Sequence, residues 1–268
     1  RTQIKSIYLV NFKMAESIRM LSKNTVKFIK SLHQKKFRNQ EQKFFVEGEK
    51  SVLEVLNSDF RLEIIVATEM FYERYKSIIT QSGAQVILAT QNQLENLGQY
   101  QSNDSALAVV HMKANSPFDF PIGNFVVGLD DIRDPGNLGT IIRIADWYGI
   151  KDLVFSTQTA DFYNPKVIQA SMGSFTRVNF FYADLMDVFQ KWNVPIYGAF
   201  LNGNNVHEMQ SISHGVILMG NESNGVSDEL EKVVSHKVTI PGFGEAESLN
   251  VAIATAILCD NFKRLTIG

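Results

Sequence analysis

The chain predicts an α/β layered fold built in two parts. Short apolar runs alternate with amphipathic helical patterns along the whole length. The alternation breaks once, at 113–123, where Asn115, Ser116, Pro117, Pro121 and Gly123 leave no periodicity. Beyond the break, a strand–glycine loop–helix unit recurs with unusually polar loops. At 268 residues, 45% hydrophobic and 20% charged, the chain has material for one or two ordinary cores. No apolar run approaches the roughly 20 residues that span a bilayer. The single cysteine, Cys259, excludes an internal disulfide; in the apolar run AIATAILC it reads as a packing residue. A reducing, cytoplasmic setting is expected.

The elements follow in order. Residues 23–32 place Val26, Phe28, Ile29 and Leu32 on one face and Lys23, Lys27 and Lys30 on the other, an amphipathic basic helix. Residues 44–46 read as a strand and 48–56 as a helix with Val52, Leu53, Val55 and Leu56 inward. Strand 62–67, helix 71–81 closed by Gly83, strand 85–89, a short helix at 93–97 and strand 106–111 complete the first part. In the second part, strands are expected at 125–130, 152–156, 178–182, 195–200, 215–219 and 237–241. Helices are expected at 137–148, 164–172, 184–191, 227–233 and 249–263. The domains are therefore 20–112 and 124–268, with 113–123 as linker. Residues 1–19 lack periodicity, and Met20 reads as a start, so 1–19 are expected to be an extension or disordered leader. Their apolar part, 7–10, is short for a secretory segment of about 7–15 residues.

A net charge of -2 conceals an asymmetry. Residues 1–50 hold 12 Lys or Arg against 4 Glu; the rest hold 14 basic and 24 acidic side chains. A basic lobe on an acidic body points to an anionic partner, or to no more than a solvated helix face.

Three blocks in the second part carry candidate chemistry. In DPGNLGTIIR (134–143), Asp134 suits an N-cap and Pro135 the first helical position. Leu138, Ile141, Ile142 and Ala145 form the buried stripe, so Arg143 falls off it, free for a phosphate, carboxylate or hydroxyl; a surface arginine in an intrahelical pair is the plainer reading. In VILMGNESNG (216–225), a buried strand enters a Gly/Asn turn with one carboxylate, Glu222, and Ser227 caps the next helix. Gly220 would let a ligand lie against backbone groups. In TIPGFGEAESLN (239–250), a strand enters a glycine loop, and Ser248 or Asn250 can cap the last helix. Either glycine loop alone also fits an ordinary tight turn. No GxGxxG follows the first strand and no GxxxxGK[ST] occurs, which disfavours dinucleotide and P-loop chemistry. The five histidines show no metal-ligand spacing, so no metal is expected.

Together, NxGxxxR, GNESNG and IPGFGEAESLNVAIATAI resemble the motifs of the SPOUT-class RNA 2'-O-ribose methyltransferases of the TrmH/SpoU family. The resemblance covers about 121–268. Residues 20–112 more weakly resemble the L30e-like RNA-binding domain that precedes the catalytic domain in several members. It implies a knotted (trefoil) α/β catalytic domain, which periodicity could not predict because knots are nearly absent among folds, and a homodimer. It implies S-adenosyl-L-methionine as cofactor and ribosomal RNA as substrate, with transfer RNA or a non-catalytic ribosome-assembly role as alternatives. By position, Asn137 and Arg143 match the first motif, Glu222 the second, Ser248 and Asn250 the third. Ala199, Phe200, Met219, Gly220, Ile240 and Leu249 would surround the cofactor. Gly242 stands where the family commonly has methionine. Lys23, Lys27, Lys30, Lys35, Lys36, Arg38 and Lys43 form the expected RNA-gripping surface.

Overall fold

The structure, a computed structural model, describes residues 18–210 and 212–267. The chain divides into two compact units, the first ending at Lys113 and taking in Tyr163–Pro165, the second formed by Ala114–Phe162 and the chain from Lys166 onward.

The first unit contains β1 (Ile18–Met20), α1 (Lys23–Ser31), α2 (Lys35–Glu41), β2 (Lys43–Glu47), α3 (Glu49–Leu56), β3 (Leu62–Ala67), α4 (Glu69–Gln81), β4 (Gln85–Leu88), α5 (Gln91–Leu97) and β5 (Ala106–His111). Its sheet runs β1-β4-β3-β5-β2, parallel from β1 to β3 and antiparallel at β5 and β2. The apolar stripe of α1 is spent on this sheet: Ile29 and Leu32 are buried with Phe45, Val66, Ile87 and Leu107. Ser22 starts α1 by accepting from the Thr25 N–H at 3.1 Å, and Thr90 starts α5 with a reciprocal capping box to Gln93. Residues 1–17 of the expected leader lie outside the described residues. Ile18 and Arg19 belong to β1, which pairs with β4, so the boundary expected at Met20 falls inside a strand.

The second unit contains β6 (Phe125–Leu129), α6 (Pro135–Trp147), β7 (Asp152–Ser156), α7 (Pro165–Ser171), β8 (Asn179–Ala183), α8 (Leu185–Trp192), β9 (Ile196–Asn205), β10 (Gly215–Met219), α9 (Asp228–Glu231), β11 (His236–Thr239) and α10 (Val251–Ile267). Its sheet is parallel throughout, in the order β11-β9-β10-β6-β7-β8. Every loop that leaves a strand's carboxyl end therefore emerges on one side of the sheet, where ligands of open α/β sheets bind. One sheet face packs Val126, Val154, Val216 and Leu218 against Leu185 and Phe189 of α8 and Leu230 of α9. Gly139, on α6, is obligatory: a Cβ there would lie 2.6 Å from the Val167 carbonyl and the Ala170 Cβ. Among the described residues no helix is long and apolar enough to cross a membrane. Cys259 is fully buried, and desolvation pushes its thiol up to about 12, as suits a packing residue.

Besides β1, two elements differ from the sequence expectation. Residues 35–41 form α2, unrecognised because QKKFRNQE has only one apolar residue to mark a face. The strand expected at 195–200 continues to Asn205, and its register against β11 jumps from Gly198 to Asn204. Gly203 permits the jump, since a Cβ there would meet the Lys237 carbonyl carbon at 2.6 Å.

Candidate active site at the carboxyl end of the parallel sheet

The site begins with the turn that ends β6. Asp134 accepts from the Asn137 N–H at 2.8 Å, the expected N-cap, and Pro135 opens α6. The helix then buries Leu138, Ile141, Ile142 and Ala145. This packing orients the first turn so that the Asn137 side chain faces the loops after β10 and β11.

There the three polar blocks meet. The Asn137 Nδ2 donates to Glu222 Oε1 at 2.9 Å, and Asn250 Nδ2 donates to Asn137 Oδ1 at 2.9 Å. Asn250 Oδ1 in turn accepts from the N–H groups of Ala252 (2.9 Å) and Ile253 (3.3 Å), capping α10. The two ends set the direction of the chain. Helix N–H groups can only donate, so Asn250 must turn its oxygen to them and its amide nitrogen to Asn137. A carboxylate can only accept, so Asn137 must turn its nitrogen to Glu222. Every hydrogen bond thus points from the start of α10 toward the carboxylate, an arrangement in which successive bonds polarise one another.

The sequence-predicted catalytic residues separate into two groups. Asn137, Glu222 and Asn250 are joined directly, across 85 and 113 residues of sequence. Arg143 and Ser248 are exposed and make no side-chain hydrogen bond or ion pair with the other described residues. Arg143 stands on the outer side of α6, off the buried stripe.

The expected cofactor residues lie at the ends of β9, β10 and β11 and at the start of α10. Ala199, Phe200 and Ile240 are half-buried, Gly220 is buried and Leu249 is 49% exposed. Thr239 ties the end of β11 to β9 by donating from Oγ1 to the Phe200 carbonyl at 2.9 Å. Met219 is only 2% exposed and its carbonyl accepts from the Asp130 N–H at 2.9 Å, so it underlies the loops. Residues 241–249 form no hydrogen bond to the rest of the described residues, and 242–249 are exposed. Their N–H and C=O groups are open to a ligand with its own donors and acceptors, which suits a nucleoside-bearing cofactor. A Cβ at Gly242 meets nothing within 4 Å.

Residues that the motif reading passed over support this arrangement. Asp130 and Asp131 follow β6, and Asp131 has a left-handed φ of 56°. Asn221 donates from Nδ2 to the Asp131 carbonyl at 2.7 Å, while Ser227 donates its N–H to Asp130 Oδ2 at 2.8 Å. Ser227 occupies the N-cap position of α9 as expected, but its side chain makes no cap bond. Two consecutive acids at a strand's carboxyl end were the available sequence signal.

The expected RNA-gripping set is corrected at two positions. Arg38 is 1% exposed, and its Nη1 donates to the carbonyls of Leu32 and His33, both at 2.9 Å. It closes the end of α1 from inside, where a planar multi-donor head satisfies carbonyls that a helix end leaves open. Lys43 lies on β2, bonded to Glu63 at 2.7 Å and placed 5.5 Å from the Phe28 ring centroid. Lys23, Lys27, Lys30, Lys35 and Lys36 are exposed, the first three on one stripe of α1. Among the described residues no group of three or more His, Cys, Asp or Glu could hold a metal ion.

Comparison with known proteins identifies the family and the fold. The model of the SpoU rRNA Methylase family matches residues 124–260, and that of the MRM3-like substrate binding domain matches 23–108. The chain is 33% identical to the 23S rRNA (guanosine(2553)-2'-O)-methyltransferase RlmP of Bacillus subtilis, over 87% of this chain and 93% of that protein. Among solved structures, a TrmH-family protein from Porphyromonas gingivalis superposes with a TM-score of 0.79 at 34% identity, covering 92% of this chain and 99% of the other. An AdoMet-bound rRNA methyltransferase from Sinorhizobium meliloti gives 0.84 at 28% identity, covering 92% and 98%.

Proposed function

This chain belongs to the SpoU rRNA methylase family, and from that premise we propose that it transfers a methyl group from S-adenosylmethionine to a ribose 2'-hydroxyl of ribosomal RNA. The observation that carries the proposal is the Asn250–Asn137–Glu222 chain, which unites the three motif blocks at the carboxyl end of a parallel sheet.

The residues present fit the cofactor. The open backbone of 241–249, with Leu249 and the half-buried Ala199, Phe200 and Ile240 beside it, offers hydrogen-bonding groups and apolar surface together. When bound, S-adenosylmethionine supplies a methyl group activated by its sulfonium. The protein's share is to hold the 2'-hydroxyl in line and to help it lose its proton. We assign Arg143 to the ribose and its adjacent phosphate. A guanidinium keeps its proton and offers only donors, which makes it a poor base, so its contribution is to stabilise developing alkoxide charge. Asn137, Glu222 and Asn250 keep the loops in register, and Ser248 offers a free hydroxyl beside them.

The first unit would grip RNA by phosphate contacts from Lys23, Lys27, Lys30, Lys35 and Lys36. A separate lobe of this kind suits recognition of RNA by shape and single-stranded loops. A homodimer is also proposed. It is supported by exposed apolar side chains on the packed pair α6 and α10: Trp147 is 84% exposed and Ile253 52%. A cytoplasmic location is part of the same reading.

Tritium transfer from labelled S-adenosylmethionine to purified ribosomal and transfer RNA tests the activity and the substrate together. Label in ribosomal RNA, mapped to a ribose, is expected. Label confined to transfer RNA overturns the substrate, and label in neither overturns the activity.

A further inference from the structure

We infer that Asp130, Asp131 and Asn221 act as a clamp that positions Glu222, an inference that rests on the reading of Glu222 as a site residue. Glu222 sits at the exposed tip of a loop, 221–225, closed by reciprocal backbone bonds between Asn221 and Gly225, each 2.9 Å. Such a tip, left to itself, does not hold a side chain to one direction. Three contacts tie this one down. At its entry, Asn221 Nδ2 donates to the Asp131 carbonyl at 2.7 Å. At its exit, the Ser227 N–H donates to Asp130 Oδ2 at 2.8 Å. Beneath it, Gly220 lies so close to the Gly225–Val226 peptide that a Cβ would come within 2.1 Å.

The side chains are spent on this task. Asn221 is engaged at both ends: Oδ1 accepts from the N–H groups of Ser223 (2.9 Å) and Asn224 (3.2 Å), so one side chain sets both the loop's shape and its attachment. Asp130 is a buried carboxylate, 8% exposed, of the kind that needs a hydrogen-bond partner; the Ser227 N–H supplies one. Asp131 adopts a left-handed conformation that non-glycine residues rarely enter, and there its carbonyl meets Asn221. It is secured from the core side by its own N–H, which donates to Ser156 Oγ at 2.8 Å. Ser156 contacts Thr159 Oγ1 at 3.1 Å, and Thr159 bonds the Leu129 carbonyl at 3.3 Å. A rigid chain of contacts thus runs from β6 to the residue that meets Asn137. These are positioning residues, and none is assigned contact with substrate.

Asn221→Asp tests the clamp, because it keeps the oxygen that shapes the loop, removes the N–H that attaches it and sets a second carboxylate against that of Asp131, which lies 3.5 Å from Asn221 Nδ2. The expected result is a kcat about 10- to 100-fold lower with KM for S-adenosylmethionine within about twofold, and no further loss when Asn221→Asp is added to Glu222→Ala. Full kcat, or equal losses in both backgrounds, overturns the proposal. Asp130→Asn, which keeps an oxygen for Ser227, should retain more kcat than Asp130→Ala; equal loss counts against the clamp. If Glu222→Ala keeps full activity, the reading of Glu222 fails, and the clamp is judged by amide hydrogen exchange alone. Faster exchange at 223–226 in Asn221→Asp supports it, and unchanged exchange overturns it.

Discussion

The loops after β10 and β11 leave the same side of one sheet, yet they are held in opposite ways. Residues 221–227 are fixed by Asn221, by Ser227, by the packing of Gly220 and by the bond from Asn137 to Glu222. Residues 241–249 form no hydrogen bond to the other described residues before Asn250 caps α10. The contrast separates two demands. Glu222 keeps the motif loops in register through Asn137, so the loop that carries it must itself be held. A loop proposed to receive a cofactor must admit it first, and that favours free backbone over internal hydrogen bonds.

The largest effect should come from a residue held by neither loop. Arg143→Ala is expected to lower methyl transfer about 10²- to 10³-fold while calorimetry finds S-adenosylmethionine affinity within about twofold. Equal loss of both would move Arg143 into the cofactor site. Next, Gly220→Ala should destabilise the chain by about 1–3 kcal/mol, the usual cost of overpacking, because the new methyl group meets backbone rather than a movable side chain. Denaturant melts measure it; unchanged stability would mean that the rigid loop yields. Asn137→Ala removes both bonds that cross the site, each worth about 1 kcal/mol. It should lower kcat more than it raises the cofactor KM, and the reverse split would place Asn137 with the open loop. Glutamate at Lys23, Lys27 and Lys30 together should weaken RNA binding and flatten its salt dependence by about 0.7 to 0.9 in log–log slope per lost phosphate contact, leaving the melting curve nearly unchanged. An unaltered slope in filter binding would send the RNA elsewhere. The smallest effect belongs to the open loop: Gly242→Met, with nothing within 4 Å of its Cβ, should leave stability within about 0.5 kcal/mol. A larger loss would show that the loop is packed after all.

Much of the sheet was legible because its strands are nearly continuous apolar runs, as buried parallel strands must be. β7 and β10 span the residues expected from the sequence, as do β3 and β5 in the mixed sheet of the first unit. The extension of β9 was not legible. Residues 201–205 read as a polar loop, and only pairing with β11 makes them strand. Arg38 failed as a surface residue for a related reason. Its neighbours in sequence are lysines in a solvated stretch, but it lies where α1 ends and its carbonyls need a donor.

The sequence by itself determined the two-part α/β plan, the cap at Asp134, and the family to which the chain belongs. These depend on local periodicity and on residue types at short spacing. For the last helix the sequence left Ser248 and Asn250 as equal candidates, and the structure chose Asn250. Only the tertiary structure decided which polar groups meet. Asn137, Glu222 and Asn250 come together because three strands end on one side of one sheet, and Asp130, Asp131 and Asn221 lock because a left-handed turn aims one carbonyl at one amide. Hydrogen bonds are directional and reach about 3 Å. Partners 85 and 113 residues apart are therefore chosen by strand order and register, which no local pattern encodes.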